Sequence, residues 1–229
     1  MTATENKSNM LEQAKATGKT PWIAFTGLDG SGKTTMVEKF VAYLEAKGYK
    51  VKRDRLPHDR YLVTDLLDKS TSKYTDRMLF ALDNRLFDEE LREWKHDPEI
   101  EVVVTQRCYL DSFVHGAVQG FGYGFIAELN RVNELQKCDV MVHMVAEVRT
   151  AYARIEGDPD ADKFEYPEYM AKQERETRHA YKQVMEKNPE LEHFHNPECV
   201  NIYVDTTDMD IDEVFEYIMR KLREKGVVD

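Results

Sequence analysis

Short apolar runs alternate with longer amphipathic segments along most of the chain. Period-two and continuous apolar runs predict strands at 22–26, 50–54, 102–104, 140–145 and 200–204. Helical periodicity predicts helices at 33–47, 60–69, 74–95, 124–136, 167–186 and 210–225. Because parallel strands need crossover connections, this alternation predicts an α/β fold, a five-stranded parallel sheet with helices on both faces. Ligands of such sheets bind at the carboxyl ends of the strands.

The length of the chain favours one folded unit. A chain of 229 residues that is 41% hydrophobic can bury one sizeable core, and residues 21–229 are predicted to form a single domain. Residues 1–20 are small and polar, and we expect a flexible tail or a short surface helix whose removal costs little stability.

Charge and cysteine content indicate which binding partners and which cellular compartment to expect. The chain has 43 acidic and 32 basic side chains, a net charge of −11, which disfavours extended nucleic acid as a partner. Cys108, Cys138 and Cys199 have no paired spacing, so we expect buried thiols in a reducing compartment. The amino terminus lacks an apolar core, and no apolar run reaches the length of a membrane span. These features predict a cytoplasmic protein with no membrane partner.

A phosphate-binding loop follows the first strand. Residues 27–35 read GLDGSGKTT and match the Walker A pattern at Gly27, Gly32, Lys33 and Thr34. Backbone N–H groups of such a loop surround an anion, Lys33 reaches the outer phosphates and Thr34 ligates Mg²⁺. The motif predicts ATP, with Mg²⁺ as cofactor, bound by Gly27, Asp29, Gly30, Ser31, Gly32, Lys33, Thr34 and Thr35.

Two further residues of this loop, an acid and a second threonine, narrow the class of phosphate-binding loop to which it belongs. With Asp29 and Thr35, the loop resembles that of the thymidylate kinase family, Gly-x-Asp-x-x-Gly-Lys-Thr/Ser-Thr. The resemblance covers most of 22–225 and implies the P-loop NTPase fold. It also implies that Asp29 faces the sugar of the acceptor nucleotide.

Two further segments resemble acceptor-binding motifs of that family. Arg55-Leu56-Pro57 is similar to its Arg-Glu-Pro segment, which implies that Arg55 faces the acceptor phosphate. Residues 79–85 resemble Leu-Phe-x-Ala-Asp/Asn-Arg, which implies that Phe80 stacks on the acceptor base and Arg85 contacts it. One extra residue separates the two here, enough to rotate a helical neighbour by about 100°. Either the helix carries a bulge or another side chain stacks on the base.

The third strand leads into a segment with both matches and departures. Gln106-Arg107 resembles the Asp-Arg of an Asp-Arg-Tyr motif, and Ser112 and Gln119 follow at positions that the family also uses for the acceptor. The resemblance implies that Arg107 bridges the donor and acceptor phosphates, for which its forked guanidinium is suited. Gln106 replaces the aspartate near the metal, so Mg²⁺ is held mainly by Thr34 and the phosphates, or another acid assists.

A segment at about 155–165 resembles the lid of the family. A lid closes over the triphosphate and supplies positive charge, for which Arg154 and Lys163 are the candidates. The loop is acidic, but Lys163 and Tyr169 stand where a calcium loop has glycine and glutamate. His193, His195 and Cys199 lack a second ligand pair, and an irregular surface loop is expected there instead of a metal site.

The resemblance implies a nucleoside monophosphate kinase that transfers the γ-phosphoryl group of ATP to a deoxynucleoside monophosphate, dTMP giving dTDP. Lys33, Arg107, Arg154 and Lys163 share the catalytic work, and family members are commonly dimers, so a homodimer is expected. Val118, in place of a tyrosine near the acceptor sugar, leaves open a kinase for a free deoxynucleoside or a modified pyrimidine nucleotide. A nucleoside kinase needs a carboxylate base, and Asp54 and Asp29 are the local candidates. A nucleotide-binding switch protein is the alternative from another class.

Overall fold

The computed structural model describes residues 8–58, 60–156, 164, 166–194 and 197–229. One parallel sheet contains all five predicted strands, with small shifts at their ends: β1 Trp22–Gly27, β2 Val51–Arg55, β3 Val102–Gln106, β4 Val140–Val145 and β5 Val200–Asp205. The strand order is β2-β3-β1-β4-β5. The predicted α/β fold with a five-stranded parallel sheet is confirmed.

Helices cover both faces of this sheet. The described helices are α1 Met10–Thr17, α2 Lys33–Ala46, α3 Arg60–Lys69, α4 Lys73–Trp94, α5 Tyr109–Val118, α6 Tyr123–Asn130, α7 Val148–Ile155, α8 Pro167–Met185 and α9 Ile211–Glu224. Short 3₁₀ turns lie at Val132–Glu134 and Pro189–Phe194. None of the described helices combines the length and the low polarity needed to cross a bilayer.

Alternate side chains of β1 build two separate cores. Trp22 and Ala24 point to the face covered by α4, α5, α6 and α8, while Ile23 and Phe25 point to the face covered by α1, α2 and α9. Trp22 is fully buried, and its indole N–H donates to Thr105 Oγ1 at 2.8 Å. Burial on both faces explains why this strand reads as a continuous apolar run.

The strand register brings the predicted site residues to one edge of the sheet. Gly27 pairs with Met144, and both Phe25 and Arg55 pair with Gln106. The ends of β1, β2, β3 and β4 therefore meet where the phosphate-binding loop begins. This edge is the one that parallel α/β sheets use for ligands.

Before β1 the chain forms the short helix α1, one of the two structures expected for this segment, and the helix is anchored to the rest of the fold. Asn9 caps α1, and Leu11 is only 2% exposed. The N–H of Met10 donates to the Gly226 carbonyl at 2.7 Å, and Asn9 Nδ2 lies 2.6 Å from Asp229 Oδ1. One apolar side chain and these contacts tie α1 to the carboxyl terminus. Residues 1–7 lie outside the described part of the chain.

Helix α5 was not predicted, and the helix predicted at 124–136 is shorter. Every side chain from Tyr109 to His115 is buried, including the polar Asp111, Ser112 and His115, so α5 lacks the solvent-exposed polar face by which surface helices are predicted. Helix α6 ends because Arg131 adopts a left-handed conformation with φ of 47°. A single 3₁₀ turn occupies the rest of the predicted helix.

Candidate active site

The loop after β1 is pressed against β4 and α7. A Cβ atom on Gly27, whose φ is 124°, would lie 2.0 Å from the Met144 carbonyl oxygen. On Gly30, with φ of 76°, it would lie 2.2 Å from the Ala151 carbonyl oxygen. Only glycine fits these two positions, because both the conformation and the space exclude a side chain. The loop is also fixed by the Leu28 N–H, which donates to the Met144 carbonyl at 3.0 Å.

Helix α2 starts directly after this loop and opens towards a cleft of about 980 Å³. The first N–H groups of a helix have no partner within it, so the start of α2 favours an anion. The Thr34 hydroxyl, in the first turn, donates to Gln106 Oε1 at 3.1 Å. Residues of the loop that line the cleft include Gly30, Ser31, Gly32, Thr34 and Thr35.

Lys33 is folded back into the loop. Its side chain is 3% exposed, and Nζ donates to the carbonyls of Gly27 at 2.9 Å and Leu28 at 2.8 Å. Nζ also lies 3.0 Å from Asp29 Oδ1. Burial lowers the pKa of Lys33, although the Asp29 charge opposes that shift. To contact phosphates in the cleft, this side chain has to leave these carbonyls.

Asp29 connects the loop to Arg107. Arg107 Nη2 lies 2.6 Å from Asp29 Oδ1, and Gln173 Nε2 donates to the other oxygen at 3.2 Å. Burial by itself raises the pKa of Asp29, but the charges of Arg107 and Lys33 outweigh it and hold the pKa well below its usual range. Asp29 is therefore a buried carboxylate between two cations. The sugar contact implied for it by sequence remains a prediction.

The backbone of Arg107 has an unusual conformation that positions its side chain. Its φ is 70°, and its N–H donates to the Phe25 carbonyl at 2.7 Å. This geometry turns the residue at the end of β3 towards the loop. Arg107 Nη1 also donates to the Leu56 carbonyl at 3.4 Å. The guanidinium thus lies between the P-loop and the end of β2, where Arg55 lines the same cleft.

Arg154 contacts the loop from α7. Its Nη1 donates to the Gly30 carbonyl at 3.3 Å and to Thr206 Oγ1 at 3.0 Å, and its Nη2 donates to the Thr206 carbonyl at 2.9 Å. Thr206, which follows β5, was not identified from the sequence, where it belongs to no phosphate motif. Lys163, the other predicted lid cation, lies outside the described residues, as does most of the predicted lid.

The other residues predicted to contact the acceptor are Phe80, Ser112, Gln119 and Arg85. Phe80 is half-buried beside His115, and Ser112 is buried and accepts from Asn84 Nδ2 at 2.8 Å. Gln119 is directed to Asp76, at 3.5 Å. Arg85 extends to the other side of α4, where Nη2 donates to the Asn130 carbonyl at 3.2 Å, with the Glu134 carboxylate 3.6 Å away.

A second buried carboxylate supports the loop from below. Asp111 Oδ2 accepts from Thr26 Oγ1 at 2.6 Å and from the Cys108 N–H at 2.9 Å. Burial raises the pKa of Asp111, and the Thr26 hydrogen bond opposes that shift. Sequence reasoning missed this residue. Its position three residues after Cys108 is the spacing of a helix capping box, which is the pattern that could have indicated it.

A polar and aromatic wall extends from Asp29 away from the cleft. Gln173 Nε2 lies 3.4 Å from His115 Nε2, and His115 Nδ1 lies 2.9 Å from the Tyr169 hydroxyl. Burial lowers the pKa of His115 to about 3, with the charge of Arg107 acting in the same direction, so the imidazole is neutral at physiological pH. These three residues come from α5 and α8, and no local motif marks them.

The sequence matches a known protein family over most of its length. The family model for thymidylate kinase matches residues 25–196, which is most of the chain and includes the loop, Arg107 and the wall. The chain belongs to the thymidylate kinase family. Membership confirms the predicted P-loop fold and an ATP-dependent nucleoside monophosphate kinase.

Relatives of this thymidylate kinase family member match nearly the whole chain at modest identity. The probable thymidylate kinase of Methanococcus aeolicus is 26% identical over 208 residues, which cover 90% of this chain and 98% of that protein. The probable thymidylate kinase of Methanothermobacter thermautotrophicus is 30% identical over 176 residues, covering 73% and 82%. The structure of thymidylate kinase from Candida albicans has a TM-score of 0.65 at 16% identity, covering 90% and 92%, and shows the shared fold.

In the part of the chain that the structure describes, no group of three or more His, Cys, Asp or Glu side chains could hold a metal ion. His193 is 4% exposed within a 3₁₀ turn, so the predicted surface loop is wrong at this position. It is buried because it packs beside Tyr109 and Phe194. His195 lies outside the described residues.

Proposed function

We propose that this protein transfers the γ-phosphoryl group of ATP to the phosphate of dTMP, giving dTDP. The observation that carries the proposal is the position of Arg107, whose guanidinium lies between the P-loop and the cleft residues at the end of β2. A forked cation at this position can contact the phosphates of two nucleotides at once. Membership of the thymidylate kinase family supports dTMP as the acceptor.

The cleft is suited to ATP along its length. The loop and the first turn of α2 provide N–H groups for the triphosphate. Met209 and Ile211, at the start of α9, line the same cleft further from the sheet, and Ile211 is 57% exposed. Exposed apolar side chains beside a phosphate site favour a planar base. Arg154 lines the same cleft and contacts Gly30 of the loop, where it can contact the triphosphate.

Two oxygen atoms of the protein fit a magnesium ion. Mg²⁺ prefers hard oxygen ligands and keeps several water molecules, so few protein ligands are needed. Thr34 Oγ1 and Gln106 Oε1 lie 3.1 Å apart at the edge of the cleft, and we propose that they hold the metal, directly or through water. When bound with ATP, the metal neutralises charge on the outer phosphates.

The chemical step requires alignment and charge neutralisation more than covalent chemistry. The acceptor phosphate is itself the nucleophile, so no protein nucleophile is needed. Arg55 and Arg107 hold the acceptor phosphate opposite the γ-phosphate. Lys33 leaves the Gly27 and Leu28 carbonyls and contacts the outer phosphates of ATP. Arg154, together with Lys163, adds positive charge where negative charge develops.

A kinase for a free nucleoside is less well supported by the geometry. Such an enzyme needs a carboxylate that accepts a proton from a hydroxyl group. Asp54 is engaged by His58 Nδ1 at 2.6 Å and by the Arg55 N–H at 2.8 Å. Asp29 is held between Arg107 and Lys33. Both candidate bases therefore already have strong partners.

We also propose a homodimer in the cytoplasm. Tyr74, Met78 and Leu82 recur every four residues along α4 and are all exposed, which leaves an apolar stripe on this helix. Phe121 and Phe125, stacked at 4.9 Å, continue that surface. A second copy of the chain would cover it. All three cysteines are free, as expected for a reducing compartment.

A substrate panel tests the proposed reaction. Purified protein with ATP and Mg²⁺ would be given dTMP, dUMP, dCMP, dGMP, thymidine and deoxycytidine, with ATP consumption and products followed by chromatography. The proposal predicts dTDP from dTMP at the highest kcat/KM and no phosphorylation of either nucleoside. Phosphorylation of a free nucleoside would support the first alternative. ATP hydrolysis that is independent of any acceptor would support a switch protein.

A further inference from the structure

Arg77, one turn before Phe80 on α4, is a buried cation that the proposed mechanism does not use. The residue is 2% exposed, and its guanidinium carbon lies 4.6 Å from the centroid of the Phe80 ring. Nη1 donates weakly to the Ser112 carbonyl, at 3.5 Å. Among the residues that the structure describes, Nε and Nη2 have no hydrogen-bond partner. Burying charged donors without partners is costly, so such an arrangement requires an explanation.

Arg77 lies at the far end of the wall that starts at Asp29. Gln173 and His115 continue from Asp29, and the His115 ring is nearly parallel to the Phe80 ring, at 14° with the centroids 6.4 Å apart. The guanidinium of Arg77 in turn lies over the Phe80 ring. A nucleotide whose phosphate lies at Arg107 would extend along this wall. Its base would therefore meet Phe80 and Arg77.

The arginine that the family resemblance implied for the base lies elsewhere. Arg85 is two turns further along α4 and pairs with Asn130 and Glu134. The extra residue between Phe80 and Arg85 accounts for this, because it rotates the arginine by about 100° around the helix axis. Arg77 and Phe80 are three residues apart and so share one face of the helix.

We propose, on the basis of the proposed phosphoryl transfer to dTMP, that Arg77 rather than Arg85 selects the base of the acceptor. Arginine has only donors, so its open N–H groups complement a carbonyl oxygen such as the 4-oxygen of thymine or uracil. Cytosine presents an amino group at that position, and two sets of donors would face each other. Arg77 thus favours 4-keto pyrimidines over 4-amino pyrimidines.

Kinetics with two arginine variants separate the two candidates. Arg77→Gln and Arg85→Gln would be compared with the unmodified protein for kcat/KM on dTMP, dUMP and dCMP at saturating ATP. We expect Arg77→Gln to lose about 10²-fold on dTMP and dUMP, the scale of a hydrogen bond to a charged group, with little change on dCMP. Arg85→Gln should keep the ratio of dTMP to dCMP. Loss of that ratio in Arg85→Gln, or its retention in Arg77→Gln, would overturn the proposal.

An acceptor analogue makes the test independent of the folding of the variant. A thymidylate analogue that lacks the 4-oxygen should lose about 10²-fold in kcat/KM with the unmodified protein. With Arg77→Gln, or with Arg77→Met if the glutamine variant unfolds, the same analogue should lose much less relative to dTMP. Equal losses in both proteins would show that Arg77 does not contact the 4-oxygen. If the unmodified protein phosphorylates no nucleoside monophosphate at all, the proposed function fails instead.

Discussion

Arg107 Nη2 lies 2.6 Å from Asp29 Oδ1, a contact that joins the end of β3 to the phosphate-binding loop. The same oxygen is 3.0 Å from Lys33 Nζ. In this arrangement one buried carboxylate holds two of the cations that the proposed mechanism brings to the phosphates, Lys33 and Arg107. Binding of ATP and the acceptor must exchange these contacts for contacts with phosphate oxygens.

Replacing Arg107 should affect the chemical step more than ATP binding. For Arg107→Ala we expect kcat with dTMP to fall about 10²- to 10³-fold, the scale of a charged group directed at a transition state. The dissociation constant of ATP, measured by calorimetry, should change only a few-fold, because backbone N–H groups provide most of the cradle. Arg131→Ala is the control, since that side chain is 71% exposed. Unchanged turnover in Arg107→Ala would remove Arg107 from the mechanism.

Removal of the Asp29 charge should destabilise the fold. Asp29→Asn leaves Lys33 and Arg107 buried without their counter-ion, and breaking such a pair typically costs about 3 kcal/mol or more. Urea denaturation at pH 7 measures the change in the free energy of unfolding. Glu99→Gln, which removes a pair whose acid is 76% exposed, should change it by less than about 1 kcal/mol. Equal losses in the two variants would contradict a buried ion cluster at Asp29.

Buried histidines should make stability depend on pH. Burial lowers the pKa of His143 and of His193 to about 4, and that of His115 to about 3. Between about pH 6.5 and pH 4 the unfolded chain binds protons that the folded chain does not, so the free energy of unfolding falls as the pH falls. Each histidine contributes a slope of up to about 1.4 kcal/mol per pH unit.

Denaturation of the unmodified protein and of His143→Gln across this pH range measures how much His143 contributes to the slope. His143 lies in β4, and its Nε2 is 2.8 Å from Asn201 Oδ1. The variant should lose the slope of one histidine and retain the rest. A slope that is identical in the two proteins would show that His143 titrates normally in the fold.

The amide at position 106 should weaken metal binding compared with a carboxylate. Gln106 Oε1 accepts from the Thr34 hydroxyl, so a carboxylate at this position would also lie beside the metal. We expect Gln106→Asp to lower the half-saturating Mg²⁺ concentration several-fold, because Mg²⁺ prefers charged oxygen ligands. Titration of Mg²⁺ at fixed ATP, and ATP calorimetry with and without Mg²⁺, measure this. An unchanged Mg²⁺ dependence would place the metal away from Gln106.

The amino-terminal helix should contribute to stability. Leu11→Ala removes a side chain that packs in the core with α2 and α9, and we expect a loss of about 2–4 kcal/mol in the free energy of unfolding. Lys15→Ala, on the same helix, removes a half-exposed side chain that pairs with Glu101 and lies 5.1 Å over the Tyr49 ring, and should cost about 1 kcal/mol or less. Equal small effects would show that α1 is dispensable, as its composition alone indicated.

The sequence predicted those parts of the site that a local pattern encodes. Gly27, Lys33 and Thr34 belong to one motif, and the register of parallel strands places Arg107 beside it. Strands β1, β3 and β4 were predictable because buried parallel strands read as apolar runs, whereas the edge strands β2 and β5 are only partly buried. Helix α5 was not, because it is buried along most of its length and its polar side chains do not mark a solvent-exposed face.

Side chains that contact one another only in the folded chain could not be predicted from the sequence. His115 and Gln173 lie on α5 and α8, and they are brought to Asp29 by the packing of these helices. Arg77 belongs to no motif, and the role proposed for it rests on its burial and on its donors without a partner among the described residues. Arg85 matches a family pattern, yet one extra residue directs it away. Local spacing therefore brought together the residues proposed to bind phosphates, whereas the residues proposed to meet the base are defined only by the fold.

The most direct test of the phosphoryl transfer is the fate of a labelled phosphate. ATP carrying ³²P in the γ position would be incubated with unlabelled dTMP, Mg²⁺ and the purified protein, and the products would be separated and degraded to locate the label. If the γ-phosphoryl group of ATP is transferred to dTMP, the label will be in the β-phosphate of dTDP, and labelled dTDP will form only when dTMP is present. Label found only in inorganic phosphate, with no labelled dTDP, would contradict it.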